Sequence, residues 1–228
     1  MDPVNQKAMT PSIIRKIKAS GIIAVLMIDE IKNAVPLAKA LLNGGVNIIE
    51  LTLRTPVAME AAKVICNEVP EMIIGLGTVL TVKQVETAAK IGIDFAVSPG
   101  CNPRIINAAK ENNLSFAPGI VTPTDIEIAL EHGCRILKYF PAETSGGINH
   151  LKSMAAPYQF LNLGFIPLGG LDISNASSYL ESDIISAIGG SWVAKRSLIQ
   201  SRDWKTITKN ALEIRDLIIK VRSKNMKT

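Results

Sequence analysis

Short apolar runs alternate with longer stretches of helical periodicity along the whole of this 228-residue chain. A leading helix is predicted over Pro11–Ser20, and eight strand–helix repeats follow it. The first four pair Ile22–Met27 with Ile31–Leu42, Val46–Leu53 with Pro56–Glu68, Met72–Gly77 with Val82–Ile91, and Phe95–Ser98 with Pro103–Asn112. The next three pair Ser115–Pro118 with Thr124–His132, Arg135–Phe140 with Ile148–Ala155, and Gly164–Leu168 with Ser174–Leu180. An eighth strand, Ile184–Ile188, precedes a last helix over Trp204–Val221. Ala34, Leu37, Ala38 and Leu41 have the three-and-four spacing that buries one helix face. No linker or low-complexity segment interrupts the series, so residues 1–228 read as a single domain.

Strand–helix units with short connections build a parallel sheet, and eight is the number that closes a (β/α)8 barrel. An open doubly wound sheet would want Gly-x-Gly-x-x-Gly after its first strand. This chain has Met27-Ile28-Asp29-Glu30 there. The expected fold is therefore α/β, a (β/α)8 TIM barrel with an extra N-terminal helix.

Two strands break the apolar pattern in a way that suggests chemistry. In Arg135–Phe140, alternation puts Lys138 on the same face as Ile136 and Phe140. A lysine at a strand end whose stem reaches water is the commoner arrangement. A buried one is expensive as a cation unless it pairs, and in its neutral form it is a nucleophile suited to carbonyl substrates. In Ile48–Arg54 the odd positions are aliphatic, while Glu50, Thr52 and Arg54 share the other face with Ile48. Helices cover the outside of a barrel, so the aliphatic face points outward and the polar face inward, toward the C-terminal mouth where barrel sites lie. Lys138 is then a natural partner for Glu50, and Arg54 could clamp a carboxylate through two hydrogen bonds.

Other segments end at the same mouth. Thr78 follows Gly75-Leu76-Gly77 and offers a hydroxyl, while Ser98-Pro99-Gly100 and Ala117-Pro118-Gly119 could wall a pocket or serve only as turns. Gly169-Gly170 and Gly189-Gly190-Ser191 follow the last two strands, where backbone N–H groups commonly hold a phosphate, although tight turns alone would also use them.

Composition excludes several alternatives. The longest apolar run, Ile22–Ile28, is too short to cross a bilayer, and Met1–Lys7 has no apolar core of a secretory signal. Cys66, Cys101 and Cys134 lack metal-ligand spacing and fit free thiols in a reducing cytoplasm. Of the net charge of +5, residues 195–228 carry ten basic against three acidic side chains, and residues 1–20 carry four against one. Basicity confined to terminal helices, without interleaved aromatics, argues against nucleic-acid binding. His132 and His150 lack spaced carboxylates, so no metal or other cofactor is expected.

Taken in order, these segments resemble the class I 2-keto-3-deoxy-6-phosphogluconate (KDPG) aldolases, which also act on 4-hydroxy-2-oxoglutarate. The likeness rests on Gly44-Gly45-Val46, Glu50-Leu51-Thr52-Leu53-Arg54-Thr55, Gly77-Thr78-Val79-Leu80, Ser98-Pro99-Gly100 and Pro118-Gly119-Ile120. It continues through Lys138-Tyr139-Phe140-Pro141-Ala142-Glu143, Gly146-Gly147, Gly169-Gly170 and Ile188-Gly189-Gly190-Ser191-Trp192. The resemblance implies a homotrimeric lyase that uses no metal and takes a phosphorylated keto sugar acid. It implies Lys138 as the Schiff-base residue and Glu50 as the proton shuttle. Arg54 and Thr78 would hold the pyruvyl carboxylate, Pro99 and Phe140 an apolar wall, and Gly169, Gly170, Gly190 and Ser191 the phosphate. One departure stands out: the family pattern Pro-Thr-Gly-Gly is here Pro167-Leu168-Gly169-Gly170, and leucine has no hydroxyl for a substrate oxygen. Choice among KDPG, its galactonate epimer and 4-hydroxy-2-oxoglutarate is open at this stage. So are a synthase acting on a phosphorylated heterocycle and a non-catalytic sensor on the same scaffold.

Overall fold

Parallel pairing starts at the first strand and runs outward in both directions. A computed structural model of the chain describes residues 8–225; the Met1–Lys7 stretch, expected to carry no secretory leader, lies outside the described residues. One curled sheet joins β1 (Ile22–Leu26), β2 (Ile48–Thr52), β3 (Ile73–Gly77), β4 (Phe95–Val97), β5 (Ser115–Ala117) and β9 (Ile188–Gly190), in the order β5-β4-β3-β2-β1-β9. A second sheet joins β6 (Gly119–Ile120), β7 (Ile136–Tyr139) and β8 (Gly164–Pro167). Every pairing is parallel.

The structure thus divides the expected eight strands into a six-stranded and a three-stranded sheet. The expected strand Ser115–Pro118 is broken at Pro118, which has no N–H to give to a ladder. Residues before Pro118 pair with β4, and those after it pair with β7. The eighth strand is also displaced from Ile184–Ile188 to Ile188–Gly190. Its approach segment pairs with β8, through a bridge from Phe165 to Ile185, and its end pairs with β1.

Helices α1 (Pro11–Ser20), α2 (Ala34–Asn43), α3 (Ala58–Glu68), α4 (Val82–Lys90), α5 (Pro103–Glu111), α6 (Pro123–Glu131), α7 (Gly147–Ala155), α8 (Ala176–Leu180), α9 (Arg196–Gln200) and α10 (Trp204–Asn225) complete the chain. Local chemistry sets several starts. Thr10, Thr81, Asn102 and Thr122 cap α1, α4, α5 and α6 through side-chain oxygens, and Thr81–Gln84 and Thr122–Asp125 form reciprocal capping boxes. No terminal helix over residues 196–200 was expected from periodicity; α9 is held instead by Arg196, which grips Asp29 after β1.

Two buried layers follow from strand alternation. Ile49 and Leu51 of β2 join the layer between sheet and helices, while Ile48 joins a second cluster with Ile23, Ile73, Phe95, Ile136 and Ile166. Both sheets contribute to this second cluster, so they face a common interior. Met9, Ile13 and Ile17 plug it from the α1 side. Among the described residues, no helix is long and apolar enough to cross a membrane.

Candidate active site

The inner face of β2 places Glu50 midway between its neighbours, opposite Val25 of β1 and Gly75 of β3. On β7, Lys138 lies between Gly119 and Ile166, and its backbone N–H donates to Pro118. The two side chains meet inside the molecule: Lys138 Nζ donates to Glu50 Oε1 at 3.1 Å and Oε2 at 3.5 Å. Their side chains are only 7% and 2% exposed, so this is a desolvated pair and not a surface bridge. The Phe140 ring stands 5.3 Å from Nζ and adds a cation–π contact that excludes water.

A cavity of about 380 Å³ opens above the pair. Its wall includes Glu50, Arg54, Thr78, Pro99, Lys138, Phe140, Gly169 and Ser191, eight of the ten residues expected to form a site. That volume suits a small ligand. Thr52 also lines it, almost fully buried, with its hydroxyl committed to the Leu26 carbonyl at 3.0 Å. Arg54 sits exposed at the rim with no ion-pair partner among the described residues, which leaves its planar donors available for a carboxylate. Thr78 has φ of 60°, a left-handed conformation that a β-branched residue rarely holds away from a functional site.

Gly170 and Gly190 adjoin the cavity without lining it. A Cβ on Gly190 would lie 2.0 Å from the Trp192 ring, so that residue faces the helix side of β9. A Cβ on Gly170 would meet Glu143 at 2.6 Å. Val25 lines the cavity and was not singled out from the sequence, and Gly189, noted there only within the Gly189-Gly190-Ser191 segment, lines it too. Alternation from Ile23 would have indicated Val25. Gly189 was read as loop and not as strand because the predicted strand stopped one residue short of it. Leu168, the departure from the family pattern, fills the space where a Gly189 side chain would stand, 2.2 Å from its would-be Cβ.

A second hollow of about 240 Å³ shares Val25, Arg54 and Ser191 with the first and extends to Lys195 and Arg196. A larger groove of about 740 Å³ lies at the other end of the strands, beside Asn47, Ile73, Arg215 and Arg222. It has no buried charge pair among the described residues, and parallel α/β sheets place their ligand sites at the carboxyl ends of the strands, the opposite end. Geometry therefore outweighs size here.

The remaining candidates lie apart from this cavity. Burial first, then Asp125, pushes the half-buried Cys101 thiol up to about 11, which makes it a poor nucleophile near neutrality. His132 Nδ1 pairs with Asn107 and His150 Nδ1 with Tyr139, both outside the pocket wall. No group of three His, Cys, Asp or Glu that could hold a metal exists among the described residues.

Fold and site together describe a parallel α/β enzyme built around a buried amine. The family model Aldolase: KDPG and KHG aldolase matches residues 13–210. The chain is 38% identical over 209 residues to the 2-dehydro-3-deoxy-phosphogluconate aldolase of Haemophilus influenzae, covering 92% of this chain and 98% of that protein. Among solved structures, a Zymomonas mobilis 2-keto-3-deoxy-6-phosphogluconate aldolase with 3-phosphoglycerate shares 38% identity at a TM-score of 0.82, over 88% of this chain and 93% of that one. A Legionella pneumophila KDPG aldolase with pyruvate captured as a covalent carbinolamine shares 34% identity at a TM-score of 0.84, over 90% and 97%. The chain belongs to the KDPG and KHG aldolase family.

Proposed function

We propose that this chain is a Schiff-base aldolase that cleaves KDPG to pyruvate and glyceraldehyde 3-phosphate, and 4-hydroxy-2-oxoglutarate to pyruvate and glyoxylate. The observation that carries this reading is the desolvated Lys138–Glu50 contact at 3.1 Å inside a ligand-sized cavity. The covalent pyruvate adduct named for the Legionella relative fits such an amine.

Lys138 gives a proton to Glu50 and attacks carbon 2 of the keto acid, forming a carbinolamine; Glu50 passes that proton to the carbon 2 hydroxyl, which leaves as water to give a protonated imine and an ionised Glu50. Arg54 and Thr78 hold the carboxylate of carbon 1, and Pro99 and Phe140 press the flat imine from the apolar side. Glu50, through a water, takes the proton of the carbon 4 hydroxyl. The bond between carbons 3 and 4 breaks, its electron pair flows into the imine, and the aldehyde departs from an enamine of pyruvate. Protonation at carbon 3 and hydrolysis then free Lys138. At the far end, Gly169, Gly170, Gly190 and Ser191 hold the phosphate through backbone N–H groups and one hydroxyl.

The same reading makes the two sheets two arcs of one closed (β/α)8 barrel within a single domain. Pro118 joins them on one side and the Phe165–Ile185 bridge on the other. A homotrimer in the cytoplasm is the matching assembly, and Phe160 and Leu80, 79% and 54% exposed, are apolar surface that association could cover. Borohydride reduction in the presence of pyruvate, followed by peptide mass mapping, tests the chemistry. A reduced adduct on Lys138 is expected, whereas its absence there would leave a phosphate-binding synthase or a sensor as the better reading.

A further inference from the structure

We infer that Tyr179 and Glu143 form a clamp that positions the Gly169–Gly170 loop for a substrate phosphate; this rests on the proposed phosphate role of that loop. The loop is not fixed by its own sequence. Gly169 and Gly170 hold φ of 98° and 83°, and a glycine pair released from its neighbours has many alternatives. Outside contacts select the observed shape. The Ala142 N–H donates to the Leu168 carbonyl at 2.8 Å, Glu143 N–H to the Gly169 carbonyl at 3.0 Å, and Asn175 Nδ2 to the Gly170 carbonyl at 3.1 Å.

Glu143 stands directly behind this loop, and its carboxylate is held in turn. The Tyr179 hydroxyl donates to Glu143 Oε1. Tyr179 is 1% exposed and sits on α8, the helix that follows the same loop, so the clamp closes a circuit from loop to helix to carboxylate. Gly147 closes the other side: a Cβ there would lie 3.3 Å from Glu143 Oε1 and 3.4 Å from the Tyr179 oxygen. Burial first, and then the Glu143 hydrogen bond, push the phenol well above its ordinary range, so it remains a donor at working pH.

The clamp also has an electrostatic purpose. A carboxylate beside an anion loop repels the ligand if it turns toward it. Holding Oε1 against the phenol keeps that charge behind the glycines. Both effects act on phosphate recognition and neither reaches the imine, so loss of the clamp should separate KM from kcat.

Steady-state kinetics on two substrates tests this. Tyr179→Phe should raise KM for KDPG about five- to tenfold, keep kcat within about twofold, and leave KM for 4-hydroxy-2-oxoglutarate, which has no phosphate, unchanged. Inhibition by inorganic phosphate should weaken in the same proportion. Glu143→Gln, whose side-chain carbonyl still accepts from the phenol, should retain the parent KM, and Glu143→Ala should behave like Tyr179→Phe. An equal rise in KM for both substrates, a fall in kcat alone, or no change would overturn the clamp. Pyruvate trapping on Lys138 in each variant confirms an intact site. If the parent itself fails to trap pyruvate, the aldolase reading falls, and calorimetry with inorganic phosphate decides the clamp. Weaker binding by Tyr179→Phe than by the parent would then support it, and equal or absent binding would overturn it.

Discussion

Gly77 on β3 lies so close to Glu50 on β2 that a methyl group on Gly77 would stand 1.8 Å from Glu50 Oε1. The missing side chain is what allows the carboxylate to lean toward Lys138 instead of along its own strand. Gly77→Ala should therefore push the acid off its partner. Misplacement by about 1 Å can cost on the order of 10²-fold in rate, so turnover should drop by roughly that factor while the circular dichroism spectrum stays that of the folded protein. Retention of full activity would mean that Glu50 does not need its present position.

The two members of the ion pair should fail differently. Lys138→Ala removes the only proposed nucleophile and should abolish both pyruvate trapping and turnover. Glu50→Gln should still gain the reduced adduct but turn over about 10²–10⁴-fold more slowly, the usual contribution of a general base. Equal residual activity in the two variants would contradict their assigned roles.

Leu168 offers a test of substrate choice. It is 4% exposed and lines the cavity between β8 and β9 with no polar atom on its side chain. Leu168→Thr adds a hydroxyl to that wall and should change the ratio of kcat/KM for KDPG to that for its galactonate epimer by about five- to tenfold, the effect of one hydrogen bond. Coupled pyruvate release on both acids measures it. An unmoved ratio would exclude this wall from the selection.

Stability should decline in alkali for an identifiable reason. Burial first, and then nearby Cys101, push the Cys134 thiol from its ordinary 9.0 up to about 12. The unfolded chain ionises this group earlier, so its contribution to stability is complete below about pH 9 and disappears as pH climbs toward 12. Urea midpoints between pH 8 and 11 should fall more steeply for the parent than for Cys134→Ala. Parallel slopes would assign the decline to other groups.

The parts of the site that could be read from sequence are those that obey strand alternation. Glu50 and Thr52 lie on the polar face of a strand whose other face is aliphatic, and Lys138 interrupts an apolar face, so their directions followed from the residues beside them. Where pairing depends on distant segments, reading failed. Gly189 and Gly190 look like a turn, yet they extend β9 because β1 supplies a ladder partner. Pro118 looked like the end of a strand, but the backbone beyond it pairs again in the second sheet. Helix α9 depends on the contact between Arg196 and Asp29, 167 positions apart, which no local periodicity records. Tyr179 and Glu143 are hidden for the same reason, being ordinary polar and aromatic residues until the fold brings them together.

Thr78 illustrates a trade between foldedness and recognition. Its left-handed backbone costs a non-glycine residue on the order of 1–3 kcal/mol, and glycine would relieve that tension at once. On the proposed role of Thr78 at the substrate carboxylate, keeping threonine there means accepting a less durable scaffold so that a hydroxyl is already in place before any keto acid arrives. Selection for heat resistance alone would therefore be drawn to this position, and on that proposed role would blunt the catalyst in doing so.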